Sequence, residues 1–330
     1  MSEAVCADCR SESGRLAARC RVGSRRTEGP YAVWSVCRHG RLYPPRLADL
    51  PDPPAVLFAC GSRGPLERLV ERATAVTIVG SRRPSAAGLD LATSLARALS
   101  DAGLLVVSGL AAGIDRAAHE GAIEAGGATV AVMGGGPDVA YPASNSQLHR
   151  RLIDDGGLVL AELPPGTRPT RWTFPARNRI MAALSAMTIV VEARERSGSL
   201  ITAGFAAESG REVGAVPGQV GLANAAGTNA LLKDGAHVVR CPEDVLDVIE
   251  GVGGAVARRP TTVTGPRLTD DLREALACVE EQPLSADALA DRTEGGGIGA
   301  AVALARLELL GYVECGGDGR FRRTALTAPS

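Results

Sequence analysis

The chain has 330 residues, 45% of them apolar, and 36 Lys+Arg against 37 Asp+Glu give a formal net charge of −1. That length buries a substantial core without disulfide staples, and the eight cysteines lack the close spacing of a secreted mini-protein. A uniformly basic surface is excluded, no apolar run approaches a membrane span, and the N-terminus opens on Ser2, Glu3 and Asp8 rather than on a basic leader; a reducing, cytoplasmic setting with no membrane partner is expected.

Residues 1–42 lack apolar periodicity and are rich in Arg, Ser and Gly, which predicts an irregular Arg- and Cys-rich segment. Prolines at Tyr43-Pro44-Pro45 and Pro51-Asp52-Pro53-Pro54 punctuate a lead-in (43–74) whose apolar run Ala55–Ala59 reads as an edge strand. From Ala75 the pattern changes. Ala75–Val79, Leu104–Val107, Thr129–Met133, Leu158–Ala161, Thr188–Val191 and Glu212–Val216 are short and largely apolar, as strands buried on both faces of a parallel sheet are. The segments between them are long enough for crossover helices, and Leu91, Leu95 and Leu99 put a helical stripe on the first. A strand near His237–Val239 and a helix over Pro242–Glu250 close the domain. The fold class is α/β, an extended Rossmann-like, doubly wound and mostly parallel sheet over 43–250.

A Gly-, Arg-, Pro- and Thr-rich linker (251–266) leads into a small C-terminal domain, 267–330. Its pattern predicts a helix over 269–280, a short helix over Ala286–Asp291, a turn at the glycines 295–297 and a longer helix to Leu310. A hairpin tipped by Gly316–Gly319 follows, and the whole is a winged-helix order. Arg306 is the sole basic residue between Ile298 and Leu310, a poor base reader; Arg320, Arg322 and Arg323 on the wing suit a duplex backbone.

Residues 75–250 carry fifteen basic groups against eighteen acids, so an anion bound there must be met by a local cluster. The turn Gly80-Ser81-Arg82-Arg83 lies between the first strand and the first helix, where backbone amides and the helix dipole favour an anion; it fits a phosphate site and an ordinary βα connection equally. Ser108-Gly109 opens the next carboxyl-end turn, where Gly109 and Gly113 serve either a ligand or close helix–sheet packing. His119 lies four residues after Asp115, a spacing that predicts an Asp–His hydrogen bond and no metal. Arg171-Trp172-Thr173-Phe174-Pro175-Ala176-Arg177-Asn178-Arg179 places three arginines and two aromatics within nine residues, a combination that suits single-stranded nucleic acid, guanidinium on phosphate and ring on base. At least one of Arg177 and Arg179 is expected to pair internally, with Glu192 or Glu195. A third loop, from Glu192 through Arg194 and Arg196 to Ser197-Gly198-Ser199 and Thr202, offers small donors just before a helix. Cys6-x-x-Cys9 with Cys20, Cys37 and His39 has enough ligands for zinc, but the later spacings match no finger and no metal is expected.

The ordered stretches VGSR, SGLAAGID, GGGPDVAYP, FPARNRI, VEARERSGSLITA, REVGAVPG and GTNALLKDGAHVV, preceded by YPPRLADLPDPPAVLFACG, closely resemble the DprA/Smf family over about residues 43–250. The resemblance implies a Rossmann-like fold, binding of single-stranded DNA, transfer of that DNA to the RecA recombinase during DNA uptake and recombination, and a homodimer formed through the Rossmann domain. It places the family's Gly-Ser/Thr-Arg motif on Gly80, Ser81 and Arg82, its basic residue before the Phe-Pro pair on Arg171, and its base-contacting aromatic on Phe174. Ala143 and Ser144 stand where many relatives carry a basic residue, so one phosphate contact is missing. The helical N-terminal domain of many relatives has no counterpart in the pattern of residues 1–42.

A non-enzymatic protein without cofactor is expected. The alternatives are a phosphoribohydrolase-like enzyme, whose PGG-x-GT-x-x-E signature is lacking in Val191–Ser199, and a winged-helix regulator, which the bland helix ending at Leu310 disfavours.

Overall fold

The computed structural model describes residues 31–71, 74–251, 263–264, 268–281, 284–292, 296–315, 320–323 and 326–327. They fall into two compact units, Met1–Ala257 and Arg258–Ser330. Cys6, Cys9 and Cys20, most of the expected linker and the hairpin tip Gly316–Gly319 lie outside the described residues.

The first unit is built on a nine-stranded sheet. Its strands are β1 (Val33–Cys37), β2 (Val56–Gly61), β3 (Ala75–Val79), β4 (Leu105–Ser108), β5 (Thr129–Met133), β6 (Leu158–Ala161), β7 (Met187–Val190), β8 (Glu212–Ala215) and β9 (His237–Val238), in the order β1-β2-β6-β5-β4-β3-β7-β8-β9. The chain winds outward from β3 to β6, then returns to β7 on the other flank of β3. The β3–β7 boundary is therefore the point where winding reverses, and open α/β sheets bind ligands at such a point, beyond the carboxyl ends of the strands. Pairing is parallel from β6 through β9, and antiparallel between β1 and β2 and between β2 and β6.

Every position of β3 is buried, and its side chains divide by alternation. Val76 and Ile78 pack with Leu95 and Leu99 of α3 (Ala86–Asp101) and Ile114 of α4 (Ile114–Glu124), reached after the short helices α1 (Pro45–Ala48) and α2 (Gly64–Val70). Ala75 and Val79 face the opposite layer. α5 (Ser146–Asp154) lies on the α4 side, packing Leu148 and Leu152 with Leu110, Ala131 and Met133, and the opposite layer is made by α6 (Thr173–Leu184) and α7 (Gly198–Glu208), which contribute Ile180, Met181, Leu184 and Ala203. This covering of both faces explains why the strands read as continuous apolar runs. Helices α8 (Ala226–Lys233) and α9 (Pro242–Glu250) complete the unit.

Two expectations at the front of the domain need correction. Residues 33–37 lie inside the segment expected to be irregular, yet they form the edge strand β1, whose five residues pair with Val56–Cys60. Only Val33 and Val36 of it are buried, too sparse a pattern to signal a strand among arginines; the ladder to β2 supplies what the sequence does not. The run Ala55–Ala59 is accordingly not an edge: β2 is paired on both sides, to β1 and β6.

The second unit contains α10 (Asp270–Glu281), α11 (Ala286–Ala290) and α12 (Gly296–Leu309), then β11 (Val313–Cys315) paired antiparallel with β12 (Phe321–Arg323). β10 (Val263–Thr264) pairs with β13 (Leu326–Thr327). Gly296 and Gly297 belong to α12 and not to the expected turn. Leu272, Leu276, Leu289, Leu304, Leu307 and Tyr312 form its core. Among the described residues no helix is long and apolar enough to cross a membrane.

Candidate functional site

Beyond the carboxyl ends of β3 and β7 lies a cavity of about 770 Å³. Its lining includes six arginines, Arg82, Arg83, Arg171, Arg177, Arg194 and Arg196, and a single carboxylate, Asp115. A domain that is acidic in sum thus collects positive charge at the one place where its topology makes a ligand cleft.

The first wall is the turn after β3. Its backbone is fixed from both sides: the Ser81 carbonyl accepts the amide of Ile114 at 3.2 Å, and the amide of Arg83 donates to Ser81 Oγ at 3.1 Å. Gly113 has φ +84, and a Cβ there would overlap the Ser81 carbonyl, so glycine is needed for the turn to close on α4. Ser81 is buried by these contacts while Arg82 and Arg83 point outward, exposed. The guanidinium of Arg82 lies 5.4 Å from the centre of the Phe174 ring, and Phe174 in turn packs on Tyr141 at 5.3 Å between centroids. An arginine held over an aromatic keeps its charge at the cavity and loses part of its rotamer freedom before any ligand arrives.

The helix that follows this turn is not the anion site its position suggested. Glu192 fills the N-terminus of α3, accepting from the Ser85 amide at 3.0 Å, from Ser85 Oγ at 2.5 Å and from Asn224 Nδ2 at 3.2 Å. The protein's own carboxylate takes the place a phosphate would have had. The N-terminus of α7 differs. Ser197 caps it by accepting from the Ser199 amide, and Ser197, Gly198, Ser199 and Thr202 all line the cavity, leaving a helix end aimed at it without a carboxylate.

The floor is a buried ion pair. Arg177 donates from Nη1 to the Val132 carbonyl at 2.5 Å and from Nε to Asn178 Oδ1 at 2.9 Å, and its Nη2 lies 3.9 Å from Asp115 Oδ2. Burial brings the Arg177 pKa down to about 10, with Asp115 opposing the fall, and burial raises that of Asp115 against the pull of Arg177 and the amides of Ala111 and Gly109. Arg177 therefore stays charged at neutral pH. Asn178 carries the network on by donating from Nδ2 to the Gly198 carbonyl at 3.3 Å, which ties α6 to the mouth of α7.

Of the fifteen residues expected at a site, Gly80, Ser81, Arg82, Arg83, Arg171, Phe174, Arg177, Asn178, Ser197, Gly198, Ser199 and Thr202 line this cavity. Ser108, Gly109 and Arg179 do not. Ser108 is fully buried and donates to the Ile78 carbonyl at 2.6 Å. Gly109 lies against the Arg177 guanidinium so closely that a Cβ would overlap it, which makes its role packing. Arg179 turns away to Glu162, at 2.8 Å, and Asp52, at 3.7 Å. Both internal arginine pairs thus use partners other than Glu192 and Glu195. Nor does Asp115 bond His119: the His119 Nδ1 meets Thr129 Oγ1 at 2.8 Å, because the fully buried ring faces β5 while the carboxylate faces α6.

Tyr141, Arg194, Arg196 and Asp115 line the cavity without having been assigned to it. Arg194 and Arg196 were legible, two arginines within the loop already singled out for its small donors. Tyr141 precedes the Ala143–Ser144 gap and reaches Phe174 only through the fold. Among the described residues no group of three His, Cys, Asp or Glu side chains is placed to hold a metal ion.

The family model described as DNA recombination-mediator protein A matches residues 34–250. The DNA processing protein DprA of Bacillus subtilis is 42% identical over 207 residues, 63% of this chain and 68% of that protein. The X-ray structure of the Streptococcus pneumoniae DprA superposes with a TM-score of 0.62 at 37% identity, covering 73% of this chain and 79% of that one. The Helicobacter pylori DprA, whose structure concerns its single-stranded DNA binding mode, gives a TM-score of 0.58 at 28% identity, covering 67% and 96%. With its matched region coinciding with the sheet and the cleft at its winding reversal, and with curated relatives named DprA and Smf, the chain belongs to the DNA recombination-mediator protein A family.

Proposed function

We propose that the chain binds single-stranded DNA in the arginine-lined cavity, without making or breaking a bond, and passes it to the RecA recombinase during recombination of incoming DNA. The observation that carries this reading is the cavity itself: six arginines, an open helix N-terminus and an Arg82–Phe174–Tyr141 stack meet at one end of the sheet. Guanidinium groups and the α7 amides take phosphates, and rings take bases, a combination indifferent to sequence. A duplex hides its base faces, so the aromatic contribution is lost with it.

In this reading Arg82, Arg83 and Arg171 contact phosphates directly, and Arg177 and Asn178 act from beneath by holding α6 and α7 in register. Self-association through the Rossmann-like domain, a cytoplasmic location and a winged-helix-like role for the C-terminal unit are parts of the same proposal. The test is a gel-shift comparison of the full chain against oligo-dT, a duplex of equal length and mononucleotides. Preference for the single strand is expected; equal or tighter binding of mononucleotides would replace the proposal by a nucleotide-processing one.

A further inference from the structure

We propose that Trp172, with Arg171 stacked on it, forms a second base platform at the rim of the cavity, so that the DNA strand continues past the cavity onto the outer face of the turn 170–173. This rests on the single-strand reading above and adds a contact residue to it. Trp172 is not part of the cavity lining, whereas its neighbours Thr170 and Arg171 are.

Trp172 is 70% exposed, the most exposed aromatic among the described residues. A ring left in water keeps a face open for stacking, and what marks this one is its place beside the cavity with a cation already seated on it. The display is also rigid. The Thr170 amide donates to Thr173 Oγ1 at 3.0 Å, the Thr173 hydroxyl and amide both donate to the Thr170 carbonyl, at 2.9 and 3.1 Å, and Trp172 is held at the outside of this closed turn. The segment leading into it is pinned in turn: the Gly136 amide donates to the Thr167 carbonyl at 2.8 Å and the Gly166 amide to Asp138 Oδ1 at 2.9 Å.

The guanidinium of Arg171 lies 4.3 Å from the indole centre. A cation on one face leaves the other for a base, and it puts a phosphate contact one residue from a stacking surface. The ring's one charged contact is Arg171, and the flanking sequence supplies Arg168, Thr170 and Thr173 beside Pro169 and Phe174, a mix of basic, polar and aromatic groups that fits a nucleic-acid strand.

The experiment compares wild type, Trp172→Ala and Trp172→Phe by fluorescence anisotropy on oligo-dT and on an abasic oligomer of the same length. Trp172→Ala is expected to weaken oligo-dT binding about 5- to 20-fold, Trp172→Phe by less than about threefold, and neither to change binding of the abasic strand. Oligo-dT should quench the tryptophan emission of wild type and leave that of Trp172→Phe, which retains Trp34, nearly unchanged. Unaltered oligo-dT affinity in Trp172→Ala, or an equal loss on the abasic strand, overturns the platform while leaving the cavity site standing. Failure of the wild-type chain to bind any single strand overturns the single-strand reading itself.

Discussion

Replacing Arg177 by methionine separates the floor of the cavity from its walls. Arg177 and Asp115 are each 7% exposed at the side chain, and their removal from water is compensated by one another, by a few fixed dipoles and, at Asp115, by the charge of Arg82. Without the guanidinium, Asp115 keeps the amides of Ala111 and Gly109, while the Val132 carbonyl and Asn178 Oδ1 lose their donors. Breaking one partner of a buried ion pair costs about 3–5 kcal/mol. At about 2–4 °C per kcal/mol for a domain of this size, the melting temperature should fall by about 6–20 °C. The pH dependence gives a second signature. Burial already raises the Asp115 pKa in the folded state, so the folded protein holds this proton to higher pH than the unfolded chain and loses stability as pH climbs from the ordinary carboxylate value through the raised one. Losing Arg177 pushes the folded value further up, so the deficit of Arg177→Met should be larger at about pH 8 than at about pH 5. Adding Asp115→Asn removes the uncompensated charge and should restore roughly half of the lost stability. Calorimetry on the two variants and wild type at both pH values measures this; a Tm for Arg177→Met within a degree or two of wild type, or a deficit flat with pH, would refute the reasoning.

Three further outcomes follow from the same packing. Gly109→Ala should mimic Arg177→Met in kind, at about 1–3 kcal/mol by chemical denaturation, because the new methyl displaces the guanidinium from the ion pair. His119 has its pKa lowered to about 3 by burial, so the folded state refuses a proton that the unfolded chain accepts below the ordinary 6.5. Its contribution is therefore present above 6.5 and lost as pH falls towards 3, about 2 kcal/mol between pH 6.5 and 4.5, and His119→Leu should flatten that part of the urea-derived stability profile. Deleting residues 258–330, which form their own compact unit, should leave oligo-dT affinity within about threefold of the full chain; loss of nearly all binding would move the site to that unit.

The doubly wound sheet was legible because strands covered on both faces carry unbroken apolar runs, and β3 through β8 start and end within a residue or so of those runs. β1 was not, since two buried valines in five residues look like any arginine-rich connection until β2 is beside them. Local spacing also misled where tertiary partners were stronger. Asp115 and His119 share a helical face, yet Arg177 and Thr129 reach them from other elements. Glu192 comes from after β7 to fill the N-terminus of α3, which no pattern around Ser85 announces. Arg177 and Arg179, two residues apart on α6, part company for the same reason: one meets Asp115 beneath the cavity, the other Glu162 beside β6. Composition and order identified the arginines, but only the fold decides which of them are spent on carboxylates.

The central claim, that the exposed arginines of the β3 turn hold a DNA backbone, is tested most directly by a salt titration of oligo-dT binding with Arg82→Ala. Arg82 is exposed, stacks on Phe174 and touches the buried pair only through its charge on Asp115 and Arg177, so the variant should fold with wild-type stability to within about 0.5 kcal/mol. Loss of one charge-assisted phosphate contact, about 1.5–3 kcal/mol, predicts binding weaker by about 10- to 150-fold and a salt slope shallower by about 0.7. An unchanged affinity and an unchanged slope would contradict the account.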